Sequence, residues 1–427
     1  MNDQVSSDRW SWSVSDLKIL LVFVFLAVVV RALMMAPILD HPDDADGYLA
    51  IARSLAEGKG FAVHGRLTAY RPPLYPILLA PLARVLDSTL LPWGIAGLHL
   101  VLGALTVALV ADAGRRWGYP RRSAWLAAMV VAFDPVLVVQ GRFVMTETLA
   151  AFLVALTLWS ASGSSGWRGA VGCGFALGLA SLCRPSLLPA SPLAGLLGLV
   201  VRPGRLTDRI ARLILIPATA LVVLSPWAIR NAWVVGEPVW TTTHGGYTLA
   251  LANNEVYYSD VVEGPAGSVW SGPRQTAWFV AVDRATKAMT EPEADRWLRD
   301  RAIRTAKAHT MTFLRATLDR LGRFWGVAPS AAVYPGWLRA ATAIWTVPLW
   351  AGLIVGLSRQ ETWRWPLVVA PVFLLTLSAV HAIYWTDLRM RAPLVPAIAL
   401  IAARSVDPSA WSRRRKSEAE QPVAVTR

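Results

Sequence analysis

Four aspartates, Asp40, Asp43, Asp44 and Asp46, follow the first long apolar run of the chain, and Asp46 stands 25 positions ahead of the string Arg71, Pro72, Pro73, Leu74, Tyr75, Pro76. A carboxylate within hydrogen-bond reach of a hydroxyl can take its proton as the oxygen attacks. A guanidinium offers a flat fork of donors that suits a phosphate group. Two prolines directly after Arg71 hold it extended and remove two backbone donors, so this loop is braced rather than floppy. The chemistry these residue types could do together is attack by a hydroxyl with departure of a phosphate.

The elements that must position them are membrane helices. Of 427 residues, 55% are hydrophobic and only 16% charged, with a mean hydropathy of +0.43. That is too apolar for a soluble protein of this size. A hydrocarbon layer about 30 Å thick takes roughly 20 apolar residues as helix. About ten such stretches occur, near 17–36, 93–112, 123–141, 144–162, 169–184, 187–201, 213–231, 338–357, 365–383 and 391–404. The expected fold is all-α and polytopic, with about ten transmembrane helices and amphipathic helices in the outer loops. Four parts are expected: 1–231, a membrane module with the first outer loop at 37–92; 232–337, an extracytoplasmic segment; 338–404, the last spans; and 405–427, a basic tail.

Sidedness follows from arginine. Arg115, Arg116, Arg121 and Arg122, then Arg202, Arg205, Arg209 and Arg212, then Arg359 and Arg364, and the tail Arg413, Arg414, Arg415 and Lys416 fall between alternate spans. The positive-inside rule makes these cytoplasmic, which puts both termini inside and the loops at 37–92 and 232–337 outside. The formal charge of +14 then reflects anionic lipid rather than nucleic acid, for which no module is present. The N-terminal run is too long, and its lead of Asp3, Asp8 and Asp16 too acidic, for a cleaved signal peptide, so it reads as an anchor. Trp93, Trp227, Trp233, Trp337 and Trp363 stand at expected span ends as headgroup anchors. Cys173 and Cys183 share one expected helix at a spacing beyond disulfide reach.

Within the first loop, Tyr48, Ala52, Leu55 and Ala56 recur at helical spacing, so a short surface helix is expected with Asp43, Asp44 and Asp46 at its dipole-favoured start and Gly58 and Gly60 at its end. Leu74 to Leu86 can restart as helix. Capping of that helix start is the plain explanation for one acid, though not for four. Further ionisable residues lie at outer span ends: Arg31, Asp134, Arg142, Glu147, Arg184, Arg230, Asp387, Arg389 and Arg391. Charges near hydrocarbon face a cavity or a partner, or snorkel, as expected for Arg31 and Arg142. The outer segment carries Thr241, Thr242, Thr243, His244, Gly245, Gly246 and Tyr247, then Asn253 and Asn254, whose glycines and asparagines imply turns, and amphipathic helix from Glu293 to Trp325. No histidine pair has zinc-ligand spacing, and neither a glycine-rich phosphate loop nor a nucleophile elbow occurs.

These pieces together resemble the polytopic GT-C class of glycosyltransferases, in particular the bacterial branch similar to protein O-mannosyltransferases and the lipid A aminoarabinose transferase. The resemblance is carried by the acidic first loop ending in Tyr48, the RPPLYP string, Thr146 with Glu147, Arg184 with Pro185, and Pro226, Trp227, Arg230 and Asn231. Gly246, Tyr247, Asn253 and Asn254 continue it, followed by Asp387, Arg389, Arg391, Pro393 and Pro396. It implies a sugar donor on polyprenyl phosphate, delivered at the outer face, and transfer to an acceptor hydroxyl with inversion. The family's first-loop aspartate falls on Asp44, which is then the expected base, with Asp43 and Asp46 flanking it and Glu147 placing acceptor or sugar. Arg71, Arg184, Arg389 and Arg391 are the expected donor-phosphate ligands, and Tyr48, Tyr75, Tyr247 and Asn253 the expected substrate contacts. The branch implies no required cofactor, whereas the DxD formed by Asp44 and Asp46 leaves a divalent cation such as Mg or Mn open. Expected partners are the lipid-linked donor, membrane lipids, and an acceptor that is protein, lipid or glycan. The alternative functions are a transporter or flippase of lipid-linked sugars and a non-catalytic scaffold. The transporter would carry functional charge deep in the spans or on both faces.

Overall fold

The computed structural model describes residues 11–35, 39, 44–162, 166–201, 205–265 and 267–406. Asp40, Asp43, Arg202 and the basic tail lie outside these described residues. The chain begins with α1 (Val14–Met35), the surface helix α2 (Tyr48–Ala56), a hairpin of β1 (Ala62–Val63) and β2 (Arg66–Leu67), and α3 (Leu74–Val85). Then come α4 (Leu91–Arg116), α5 (Arg121–Phe133), α6 (Pro135–Gln140), α7 (Glu147–Ala161), α8 (Trp167–Cys183), α9 (Ala190–Val200) and α10 (Leu206–Val234). The segment 232–337 holds α11 (Gly245–Ala252), α12 (Glu255–Tyr257), α13 (Pro273–Thr286), α14 (Glu291–Ala308) and α15 (Thr310–Phe324). The chain returns through α16 (Gly336–Leu357), α17 (Val369–Ile383) and α18 (Val395–Ala403).

The all-α polytopic expectation holds, and each of the ten apolar stretches is helical. Among the described residues, five helical stretches are long and apolar enough to cross a membrane by length and composition: α1, α4, Arg121–Gln140, α10 and α16. The others are shorter, so length alone does not establish ten spans. α1 turns Leu21, Phe25 and Leu33 outward, each about two-thirds exposed, as lipid requires of a spanning helix. α8 and α10 lie in close contact because Gly174 and Gly178 face α10: a Cβ on Gly174 would stand 2.5 Å from Ile216 O, and one on Gly178 2.6 Å from Val223 Cβ. Small residues four apart let two backbones approach in this way.

Two sequence expectations about single residues are corrected here. Arg31 does not snorkel: it is 2% exposed and donates to Ala27 O, Val131 O and Ala132 O. Pro135, at the first position of α6, has no N–H for Val131 O, and Arg31 takes that carbonyl instead. Trp227 is buried and donates to Thr241 O at 2.7 Å, whereas Trp93, Trp233, Trp337 and Trp363 are exposed as anchors should be. Cys173 and Cys183 are both free and buried.

The first loop is held from outside the spans. α2 ends at Gly58, which takes φ +75°, the left-handed conformation glycine adopts freely. The hairpin, which the sequence did not announce, turns on His64 and Gly65 with φ of 49° and 76°, and Val63 pairs with Arg66. Positive φ at both central residues is the mark of the tight two-residue turn that matches strand twist. α10 runs 29 residues, about 43 Å, well beyond the thickness of hydrocarbon. Its C-terminal end reaches this loop, where Arg230 donates to Thr68 O and Phe61 O at 2.6 and 3.1 Å.

A further correction concerns Gly245 and Gly246, expected in a turn. They open α11, because a Cβ on Gly246 would stand 1.9 Å from Asp295 O; only glycine lets α11 lie this close to α14. The amphipathic helices expected between Glu293 and Trp325 are α14 and α15, the former started by a capping box of Thr290 and Glu293.

Candidate active site

Asp44 sits just before α2, whose first residues supply its partners. Leu49 N donates to both carboxylate oxygens at 3.1 and 3.0 Å, and Ala50 N to Oδ2 at 3.2 Å. The expected capping role is therefore real, and it fixes the carboxylate while leaving acceptor capacity unused. Burial raises the Asp44 pKa above the ordinary carboxylate value and the neighbouring Asp46 adds to this, while the helix N–H groups pull the other way. Asp46 Oδ1 is 3.0 Å from Arg71 Nη2.

Arg71 is also 3.4 Å from His244 Nε2 through Nη1 and lies over the rings of Tyr48 and Tyr70. Since a guanidinium only donates, Nε2 accepts and the His244 proton resides on Nδ1. Burial and the charge of Arg71 push the His244 pKa down to about 3. Behind this group lies a clasp between the first loop and the segment 232–337: Glu291 Oε2 accepts from Ala69 N at 2.8 Å and from Thr243 Oγ1 at 3.0 Å, and Thr243 N donates to Ala69 O at 3.1 Å.

A second set of charges comes from the bundle. Glu147 opens α7 and its Oε1 is 3.0 Å from Arg184 Nη1, at the end of α8; both side chains are largely buried. Arg184 Nη2 rests on Met390 Sδ at 2.9 Å, and Arg389 Nη1 on Met145 Sδ at 3.0 Å. Arg389 Nε also faces Asp387 Oδ2 at 3.3 Å. Burial raises the Asp387 pKa, against the opposing effect of Arg389. A thioether is a weak acceptor, so these two guanidiniums hold donors that a phosphate oxygen could take over at little loss.

Tyr48 joins the two sets. Its ring meets Tyr75 edge-on at 5.5 Å, and its hydroxyl lies within electrostatic range of Asp46, Arg71, Arg184 and Glu147, with burial driving its pKa upward. Acids and arginines from the first loop, α7, α8 and the turn between α17 and α18 thus meet at one end of the bundle. The opposite end carries a separate hub, in which Asp112 accepts from Arg115, Arg116, Trp12 and Trp159.

Three expected site residues have other work. Arg391 is 3% exposed and donates to Phe324 O and Gly326 O, satisfying carbonyls where α15 ends. Tyr75 is fully buried, its hydroxyl 2.8 Å from His99 Nε2. Asn253 is 2% exposed, with its amide on Leu249 O and Ile383 O and its oxygen receiving Tyr258. Asp134 likewise caps α6 through Leu137 N. Tyr247 stays beside the first set, stacked on His244 at 5.2 Å. Sequence reasoning passed over Tyr70 and Glu291, since neither lies in a motif with a known spacing. Among the described residues no three metal-capable side chains gather. Asp44 accepts from the start of α2 and Asp46 faces Arg71.

Residues 67–233 match the family described as Dolichyl-phosphate-mannose-protein mannosyltransferase. That stretch includes Arg71, Glu147, Arg184 and Arg230, and leaves Asp44 and Asp387 to Arg391 outside. The Archaeoglobus fulgidus oligosaccharyltransferase AglB, solved with an inhibitory peptide and a dolichol-phosphate, superposes with a TM-score of 0.54 at 13% identity, over 96% of this chain and 52% of AglB. The fold is of the GT-C type. The apo form of the Archaeoglobus oligosaccharyltransferase gives a TM-score of 0.55 at 13% identity, over 94% of this chain and 52% of the other. ArnT from Cupriavidus metallidurans bound to undecaprenyl phosphate gives 0.41 at 17% identity, over 95% and 81%. The chain spans about half the length of the oligosaccharyltransferase. No curated protein matches it in sequence. The resemblance to the GT-C class drawn from the motifs is borne out at the level of fold.

Proposed function

We propose that this protein is a membrane glycosyltransferase that moves a sugar from a polyprenyl-phosphate donor to an acceptor hydroxyl at the extracytoplasmic face. The observation that carries this reading is the meeting, around Tyr48, of a first-loop carboxylate pair with Arg71, Arg184 and Glu147. The acceptor oxygen attacks the anomeric carbon from the side opposite the phosphate, the carbon–phosphate-oxygen bond breaks, and configuration inverts. Asp44 takes the acceptor proton. A carboxyl whose pKa lies above the ordinary range is the better base for a hydroxyl, because proton transfer gains driving force as the pKa approaches working pH. The charge left on the lipid phosphate is met by Arg184 and Arg389, whose thioether partners yield readily, with Arg71 alongside. Fixed donors of this kind stabilise the leaving group without reorganising.

The arginines within the bundle also argue against a transporter. Arg31 and Arg391 have their donors on backbone carbonyls, so they are parts of the framework rather than a charge path between the faces. The outward orientation rests on the arginine-rich short loops of the opposite side. The sugar and the acceptor are set by pocket shape, which fold likeness does not transfer. The test is sugar transfer from a polyprenyl-phosphate donor in reconstituted vesicles. Asp44→Asn should insert and fold normally and lose transfer by at least about a hundredfold. Turnover equal to that of the unaltered protein would remove Asp44 as the base.

A further inference from the structure

One face of α15 fastens it to the bundle. Ala316, Arg320 and Phe324 recur every four residues and are buried, and Arg320 donates to Ala382 O, in the last turn of α17, at 2.9 Å. Trp325, directly after the helix, donates to Ser378 Oγ at 3.0 Å, and its carbonyl accepts from Trp350 Nε1 at 3.0 Å. The Trp325 and Trp350 rings meet edge-on at 5.3 Å. Trp350 stands about 21 Å along α16 from Gly336, inside the stretch that is long and apolar enough to cross a membrane. A helix resting on top of the spans would meet α16 at its first turns. α15 instead ends alongside two apolar helices of the bundle, at a depth that lipid covers.

The opposite face of α15 has no protein against it. Met311, Leu314 and Leu318, spaced three and four apart, are 63%, 49% and 71% exposed, and Arg315 lies exposed among them. The one acid of the helix, Asp319, is paired with Arg323 at 2.6 Å. α14, the helix before it, is built differently: Asp300, Arg301, Arg304 and Lys307 are exposed along it, and Ile303 is its one large exposed apolar side chain. Two successive helices thus present a charged face and an apolar one. The apolar exposure continues past α15 through Val333 and Trp337 to Ile344 on α16, so the face joins the surface that a spanning helix turns to lipid. An exposed apolar patch of this kind marks an interaction surface, and an apolar helix face bearing a basic residue suits the boundary between headgroups and acyl chains.

We propose that α15 is seated in the lipid leaflet on the side of the candidate site, with Met311, Leu314 and Leu318 among the acyl chains and Arg315 extended back to the lipid phosphates. The partner of this face is bulk phospholipid. The inference stands apart from the transferase reading, yet it bears on the site: Arg391 donates to Phe324 O and Gly326 O where α15 ends. The turn that carries Arg389 is therefore tied to a helix whose depth the bilayer sets.

The experiment places one nitroxide at a time on the full chain in phospholipid nanodiscs, through Leu314→Cys and Leu318→Cys. It compares collisions with molecular oxygen, which concentrates in hydrocarbon, and with a neutral nickel chelate, which stays in water. Ile344→Cys on α16 is the lipid reference, Arg304→Cys on α14 the water reference, and the unaltered chain, whose Cys173 and Cys183 are buried, gives the background. All four replaced side chains are exposed, so the variants should keep the melting temperature of the unaltered chain. The oxygen-to-nickel ratio at Leu314 and Leu318 is expected to be close to that at Ile344 and several-fold above that at Arg304. A ratio at Leu318 equal to that at Arg304 would put this face in water and overturn the proposal. Slow collisions with both reagents, with dipolar broadening between labels on different molecules, would mean that a second copy covers the face, and would overturn it as well.

Discussion

Replacing Glu291 with alanine should loosen the outer loop that carries Arg71 without unfolding the bundle. Three hydrogen bonds make up the clasp: Ala69 N to Glu291, which joins the first loop to the second segment, Thr243 Oγ1 to Glu291 within the second segment, and Thr243 N to Ala69 O, which again joins the two. The substitution removes the first two and leaves the third. A hydrogen bond to a charged acceptor contributes about 1.5–3 kcal/mol, so the protection of the Ala69 amide should fall by that amount. Exchange of this N–H with solvent should then speed up about 10- to 100-fold. Glu291→Gln keeps an acceptor and loses the charge, which places it between the two, near tenfold. The capping box of Thr290 and Glu293 keeps α14 started in both variants. Arg71 is two residues from Ala69 and His244 follows Thr243, so loss of the clasp separates the guanidinium from its acceptor, and kcat should drop more than KM rises. Hydrogen exchange resolved over residues 61–75, with helix amides of α7 and α8 as internal controls, makes the measurement. Unchanged exchange at Ala69 and Tyr70 in Glu291→Ala, with turnover also unchanged, would refute the clasp.

Other outcomes follow from the same geometry. Because burial and Asp46 raise the Asp44 pKa, the base form is lost as pH falls through a value above that of an ordinary carboxylate, and the acid limb of kcat/KM should lie correspondingly high. Asp46→Asn removes the repulsion and should move that limb to lower pH; a limb that stays put or rises would contradict the assignment. Arg391→Met should lower thermal stability by about 1–3 kcal/mol, since Phe324 O and Gly326 O lose their donor, and should leave donor affinity in the surviving protein unchanged. Gly246→Ala should cost about 1–3 kcal/mol or prevent folding, because its Cβ would overlap Asp295 O; wild-type melting behaviour would show that α11 and α14 can separate freely.

The apolar stretches and the braced loop were legible because hydrophobicity and proline geometry act locally. All ten stretches became helix, α3 began directly after the two prolines, and α2 ended at Gly58 as its pattern required. The hairpin on His64 and Gly65 has strands of two residues, too short for any alternation to announce them. Gly245 and Gly246 read as a turn because glycine has two uses, and close approach to α14 is visible only once α14 is in place. The pairing of Glu147 with Arg184 joins residues 37 positions apart in sequence, and that of Glu291 with Ala69 joins residues 222 apart. No local rule reaches so far.

What separates the arginines of the framework from those of the site is the kind of acceptor each one has. Arg31, Arg230, Arg320 and Arg391 donate to backbone carbonyls left over where helices break or loops turn. Such an acceptor is part of the fold, and a substrate could claim the donor only by leaving a buried carbonyl unpaired. Arg71, Arg184 and Arg389 instead face carboxylates and thioethers. A sulfur is a weak acceptor and can be abandoned with little loss. Residue type is the same for both groups, and Arg391 and Arg389 stand two residues apart before α18, which is why the sequence did not tell them apart. The distinction is set by what the neighbouring backbone has already satisfied, and under the proposed function it gives Arg389 to the donor phosphate and Arg391 to the framework.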